Sequence, residues 1–166
     1  MIRKIIRSIS FVGCILFAAG FSFTSHAQSS VPEIPDTSLP DIATVRNLPG
    51  IGVAIIYNPS LCGQAGPLLC AFYRAHEYGH VALGHVGRSN SLSAQQKEVE
   101  ADIWAARHAS QESVEAAYKF FVSGGGATPI HGQGAERAAR LLPYVTAETR
   151  QLVAQQHGAV RNVLTD

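Results

Sequence analysis

The sequence is poor in charge and has no excess of one sign: Asp, Glu, Lys and Arg make up 15% of its 166 residues, and the formal net charge is +1. A nucleic-acid binder needs a lysine- and arginine-rich face for phosphate contacts, so that class is excluded. The chain also lacks the length for two domains with separate cores, and it carries no internal repeat and no low-complexity tract. Beyond its opening it has no apolar run near the roughly 20 residues a membrane-spanning helix requires. Cysteine is scarce, with Cys14 in the opening and only Cys62 and Cys70 afterwards.

The opening reads as a secretory signal peptide over 1–27. Arg3, Lys4 and Arg7 form a basic start, an apolar run follows from Ile9 to about Phe23, and Ser25-His26-Ala27 supplies small residues at the cleavage positions. Cys14 has no lipobox around it, so lipidation is not expected. The mature chain would begin near Gln28 and be periplasmic or secreted. In such an oxidising compartment Cys62 and Cys70 are expected to pair as a disulfide, since their spacing matches no common zinc knuckle.

From 28 to 49 the chain is rich in proline and small polar residues, and an extended lead-in without packed structure is expected there. The domain proper should occupy 50–166. A β-prone run at 51–57 stops at Asn58-Pro59, and a further strand within 40–48 is a weaker prospect. Pro67, after turn residues 62–66, opens a predicted helix running to about Gly84. Ser93 is a candidate N-cap for a second helix to about His108, with Val99, Ile103 and Trp104 on its buried side. A third helix should cover 112–122 and end at Gly124-Gly125-Gly126. A fourth should span 135–142 and a fifth begin near Thr146. The expected class is α+β, mainly α, with a small sheet.

Chemistry concentrates in His76-Glu77-Tyr78-Gly79-His80. A helix advances about 100° per residue, so positions four apart lie only about 40° out of register. Both imidazoles then project from one face and can share a metal ion, while Glu77 stands at the edge of that face as a base. A catalytic zinc takes three protein ligands and keeps one position open. Glu98-Val99-Glu100-Ala101-Asp102 offers the third ligand on the next predicted helix. Glu98 and Asp102 share a face, the first as ligand and the second as hydrogen-bond partner of His76. Glu100, far around that helix, is the second choice of ligand. His85 would face the opposite side of a continuing helix and is read as a polar residue closing it.

His76-Glu77-Tyr78-Gly79-His80-Val81-Ala82-Leu83-Gly84-His85 with Glu98-Val99-Glu100-Ala101-Asp102 resembles the M48-type gluzincin metallopeptidases, which show HExxHxxxxH followed by ExxAD. Thr128-Pro129-Ile130-His131 and the stretch from Glu136 to Leu141 look like that family's threonine-histidine-proline loop and arginine-containing helix. The likeness covers roughly residues 50–142. It implies a zincin-like fold, a Zn2+ ion on His76, His80 and Glu98, Glu77 as catalytic base, and Asp102 orienting His76. It also implies a protein or peptide substrate. Two departures set the chain apart. Only residues 81–97 separate His80 from Glu98, and no membrane helices flank the motif, which makes the chain similar to the small soluble minigluzincins. His131 is followed by Gly132, and the histidine position is shifted.

On this reading Glu77 takes a proton from the attacking water. His131, Tyr73, Tyr118 or Tyr144 would stabilise the oxyanion. The strand at 51–57 would offer an edge to substrate or serve as buried scaffold. The disulfide would fix a loop bordering the cleft, and segment 28–49 could lie across the cleft as a cover. His108 and His157 read as surface residues. The competing readings are a zinc-binding envelope chaperone or adaptor without proteolysis, and a helical protein without metal.

Overall fold

A computed structural model describes residues 31–86 and 91–163, with side chains as far as 157. The expected signal peptide and Cys14 lie outside these residues.

Strand β3 (Gly52–Tyr57) is the β-prone run found in the sequence, and Ala54, Ile55 and Ile56 are buried in it. It is a central strand. β1 (Glu33–Pro35) pairs with it in parallel and β2 (Ala43–Leu48) antiparallel, giving the order β1-β3-β2. β2 falls within 40–48, where a further strand was the weaker prospect, while β1 corrects the expectation of an unpacked lead-in at 33–35. Their signal was weak because β2 exposes Arg46 and Asn47 and buries only Ala43, and because prolines flank both strands. Of the two roles weighed for 51–57, substrate edge or buried scaffold, β3 has the scaffold position, and the sheet's edges are β1 and β2.

Asn58 accepts from the backbone N–H groups of Ser60 and Leu61 and caps α1 (Pro59–Ala65), with Pro59 in the first turn. The turn expected at 62–66 is thus largely helical. The Asn58 amide also donates to the carbonyls of Thr37 and Leu39, which pins the β1–β2 connection. A Cys62–Cys70 disulfide joins α1 to the first turn of α2 (Pro67–Ala82). α1 does not line the principal cleft, so the disulfide braces the start of α2 and not a cleft loop.

α3 (Ala94–His108) starts at Ser93, whose hydroxyl accepts from the Gln96 N–H while the Gln96 side chain accepts from the Ser93 N–H. Its buried stripe is Glu98, Ala101, Asp102, Ala105 and Ala106; Val99, Ile103 and Trp104, expected inside, are only half-buried. The small residues matter because α2 and α3 come very close. A Cβ placed on Gly79 would stand 3.2 Å from the Ala101 backbone. α4 (Gln111–Val122), α5 (Gly134–Leu141) and α6 (Ala147–Val163) follow, with a 3-10 turn at Leu142–Tyr144 between the last two. Among the described residues this makes six helices and a three-stranded mixed sheet, the mainly helical α+β class expected.

Helix α2 is the spine, with the sheet on one side and α3 and α4 on the other. Phe72 and Tyr73 of α2 meet Phe121 of α4 edge-on, at 5.9 and 6.2 Å between ring centres. Leu69, Val114, Ala117, Leu141 and Val153 complete the core. No helix among the described residues is long and apolar enough to cross a membrane.

Candidate metal centre

His76 and His80 stand one turn apart on α2, and their Nε2 atoms lie 3.1 Å from each other. Glu98 reaches in from α3, with Oε2 3.1 Å from His76 Nε2 and Oε1 3.4 Å from His80 Nε2. One ligand atom from each residue lies within 4.8 Å of the others, and all three side chains are buried. Donors held about 2.0–2.1 Å from a tetrahedral zinc are separated by about 3.3 Å, so the observed spacings fit such an ion. Two imidazoles and a carboxylate are also a suitable donor set for it.

The surroundings hold this geometry firmly on the His76 side. Asp102 Oδ1 lies 2.9 Å from His76 Nδ1. Its carboxylate accepts in turn from Arg137 Nε and Nη2 at 3.1 and 2.7 Å, and from Arg140 Nη1 at 2.8 Å. A fork of this kind fixes both planes. His76, Asp102 and Arg137 are fully buried. The Arg137 guanidinium lies 4.2 Å from the centre of the Phe121 ring, while its Nη1 has no hydrogen-bond partner. Burial opposes the Asp102 charge, but the hydrogen bond and charge of His76 and the Arg137 guanidinium outweigh it and hold the carboxyl well below its ordinary range. Asp102 is thus placed within hydrogen-bond distance of His76.

Glu77 faces the other way, toward the sheet, and accepts from the Val45 N–H of edge strand β2 at 2.7 Å. Burial raises its pKa above the ordinary carboxylate value, against the opposing pull of His76 and His80. One carboxylate oxygen is thereby anchored while the group stays at the wall of an open cleft of about 440 Å³. Thr44, Val45, Glu77, His80, Glu98 and His131 line that cleft. The strand holding Val45 was a weak prospect in the sequence, but its hydrogen bond to Glu77 had no marker, because a backbone N–H leaves none.

His131 enters from the loop after α4. A paired turn between Thr128 and Gly132 shapes that loop, with Gly132 at φ 90°, and the His131 N–H donates to Thr128 Oγ1 at 2.9 Å. Its Nδ1 lies 2.6 Å from Glu98 Oε2, and its Nε2 lies 3.4 Å from Asp41 Oδ2. Burial disfavours the imidazolium, but hydrogen bonds to Asp41 and Glu98 outweigh that and push its pKa up to about 9. The tyrosines considered beside it are elsewhere. Tyr73 and Tyr118 are in the core, Tyr144 accepts from Arg107 Nε, and none lines the cleft.

The described part of the lead-in, 31–49, contributes a wall of the cleft and not a strap across it. Leu39, Pro40, Asp41 and β2 form one of its walls. Glu100 lies outside the ligand group and contacts His85 Nε2 at 3.1 Å. His108 packs flat on Trp104 at the exposed end of α3, and His157 is exposed. Asp41 was not singled out in the sequence, and Arg137 and Arg140 were marked only by the resemblance of 136–141 to an arginine-containing helix, with no partner assigned to them. A signal for Arg137 existed: it shares a helical face with Leu141, which is a core position.

Fold and site together define a small, mainly helical α+β domain with a buried His-His-Glu group able to hold a metal ion. Comparison with protein-family models, curated proteins and solved structures finds no match.

Proposed function

We propose that the protein is a zinc-dependent endopeptidase of gluzincin type, acting on protein or peptide substrates in the cell envelope or outside the cell. One observation carries the reading: His76, His80 and Glu98 converge on one point beside an open cleft, and Glu77 lines that cleft without belonging to the ligand set. A site serving only to bind metal has no need of a buried carboxyl kept in reach of water.

When bound, zinc would supply Lewis-acid polarisation of the scissile carbonyl and would lower the pKa of a coordinated water toward about 7. Glu77, held by the Val45 N–H, accepts the proton of the attacking water and returns it to the leaving amine. Its raised pKa suits both halves of that transfer. His131 lines the same cleft and is the candidate donor to the oxyanion, its ring held between Glu98 and Asp41. β2 is an edge strand along the same wall, and beyond the Val45 N–H that Glu77 occupies, its outer edge is a means of holding an extended peptide. The signal-like opening and the Cys62–Cys70 disulfide support an exported, oxidising location.

The test is zinc stoichiometry together with peptide-library cleavage. Wild type should bind one zinc and cleave. Glu77→Gln should keep zinc and lose about 10²–10⁴-fold in kcat. Glu98→Ala should lose zinc. Full zinc with no turnover in wild type, and no effect of Glu77→Gln, would favour a zinc-binding chaperone or adaptor instead. Protein without stoichiometric zinc would remove both.

A further inference from the structure

The two imidazoles of the candidate site are braced differently, and the second brace has no assigned role. α2 ends in a reversal. Gly84, at φ 70°, donates its N–H to the Val81 carbonyl at 3.0 Å, and the His85 N–H donates to the His80 carbonyl at 2.8 Å. This bond pair is the glycine-terminated helix end that folds the residue after the glycine back over the last turn. An apolar contact usually accompanies it. Here the contact is between imidazoles, with His85 Nδ1 3.0 Å from His80 Nδ1 and the rings edge to face at 5.1 Å. His85 is buried, and its Nε2 lies 3.1 Å from Glu100 Oε2 at the cleft's outer side.

The hydrogen-bond roles along this chain follow from valence. A neutral imidazole has one N–H and one lone-pair nitrogen. His80 presents Nε2 toward His76 and Glu98, so as a ligand it must carry its proton on Nδ1. That N–H can only donate to His85 Nδ1, which must then be a bare acceptor. The proton of His85 is therefore on Nε2, where it donates to Glu100. Each step is forced by the one before it.

We propose that His85 is a positioning residue for the metal site, fixing the tautomer and ring plane of His80 through Nδ1 and being fixed in turn by Glu100. The proposal rests on His80 being a metal ligand, and it deepens that reading. Asp102 does the same for His76 with a charged acceptor. His85 does it with a neutral one, reached through a helix end and not through a neighbouring helix.

The test compares zinc affinity by chelator competition, thermal unfolding of the metal-free protein, and the nitrogen shifts of His80 and His85 by NMR. His85→Leu should weaken zinc binding about 10–100-fold, the usual cost of losing a ligand's outer hydrogen bond. His85→Asn places an amide oxygen where Nδ1 was and should restore most of that loss. The two variants should differ far less in metal-free melting temperature than in zinc affinity, a split that a packing role alone would not give. In wild type, His80 should be protonated on Nδ1 and His85 on Nε2. Equal zinc affinity in wild type and His85→Leu, or His85 protonated on Nδ1, would overturn the proposal and leave the zinc assignment standing. Wild type without zinc would overturn both.

Discussion

The two flanks of α2 solve opposite problems. Toward α3 and α5, Asp102 is enclosed by His76, Arg137 and Arg140, with no exposed atom to spare. Toward the sheet, Glu77 has one protein partner, the Val45 N–H, and looks into a cleft of about 440 Å³. Both carboxyls are buried, yet one is stabilised as an anion by cations and the other is destabilised as an anion by its surroundings. The difference is one of pairing: the Asp102 carboxylate has three side chains around it, which holds His76 in place, whereas Glu77 is left with one backbone partner, the arrangement a proton-exchanging carboxyl would need on the proposed function.

Arg137→Leu should break this contrast most severely. It strips the buried Asp102 carboxylate of its two-pronged partner, and removal of one member of a buried pair costs about 3–5 kcal/mol. Denaturant unfolding should register that loss, whereas Glu77→Gln should leave the metal-free protein at least as stable as wild type. A weakening of Glu77→Gln comparable with that of Arg137→Leu would show the two flanks to be equivalent and the contrast wrong.

Gly79→Ala probes the seam between the ligand-bearing helices. The added methyl carbon would meet the Ala101 backbone and the Trp104 Cβ at 3.2 Å, and neither is the end of a flexible side chain. We expect a loss of about 1–3 kcal/mol, typical of overpacking, with weaker zinc binding because Glu98 retreats with α3. Zinc affinity unchanged in a destabilised variant would mean that the approach of α3 does not set the ligand geometry.

The smallest effect is a pair of opposed pH trends in the metal-free protein. Asp102 has a folded pKa below its ordinary value of 3.8, so its stabilisation is complete above that value and is lost as pH falls through the folded pKa. Glu77 has a folded pKa above its ordinary 4.5, so its ionisation removes stability as pH rises from there through the folded pKa. Asp102→Asn should flatten the acid side of the stability curve and Glu77→Gln the alkaline side. Curves that respond to neither would refute the opposition.

His85 illustrates where reading a sequence goes astray. Extending the helix through Gly84 puts this residue on the wrong side, whereas a glycine in the left-handed region turns it back onto His80. The cue was present, since glycine just past a helix end is a common terminator. β1 was missed, and β2 legible only as a weaker prospect within 40–48, for a different reason. Short edge strands with polar outer faces bury too few side chains to show alternation, and their partner strand is what stabilises them.

What the sequence determined by itself is local: the starts of α2 at Pro67 and of α3 at its cap Ser93, the His76–His80 spacing, Glu77 beside it, and the face shared by Glu98 and Asp102. These follow from the pitch of one helix and from terminal hydrogen bonding, which span only a few residues. Tertiary structure alone decided that Arg137 and Arg140 close on Asp102, that Val45 holds Glu77, and that His131 meets Glu98. Those contacts join residues far apart in the chain, and their strength comes from water being excluded where the elements pack, a condition no single segment can create.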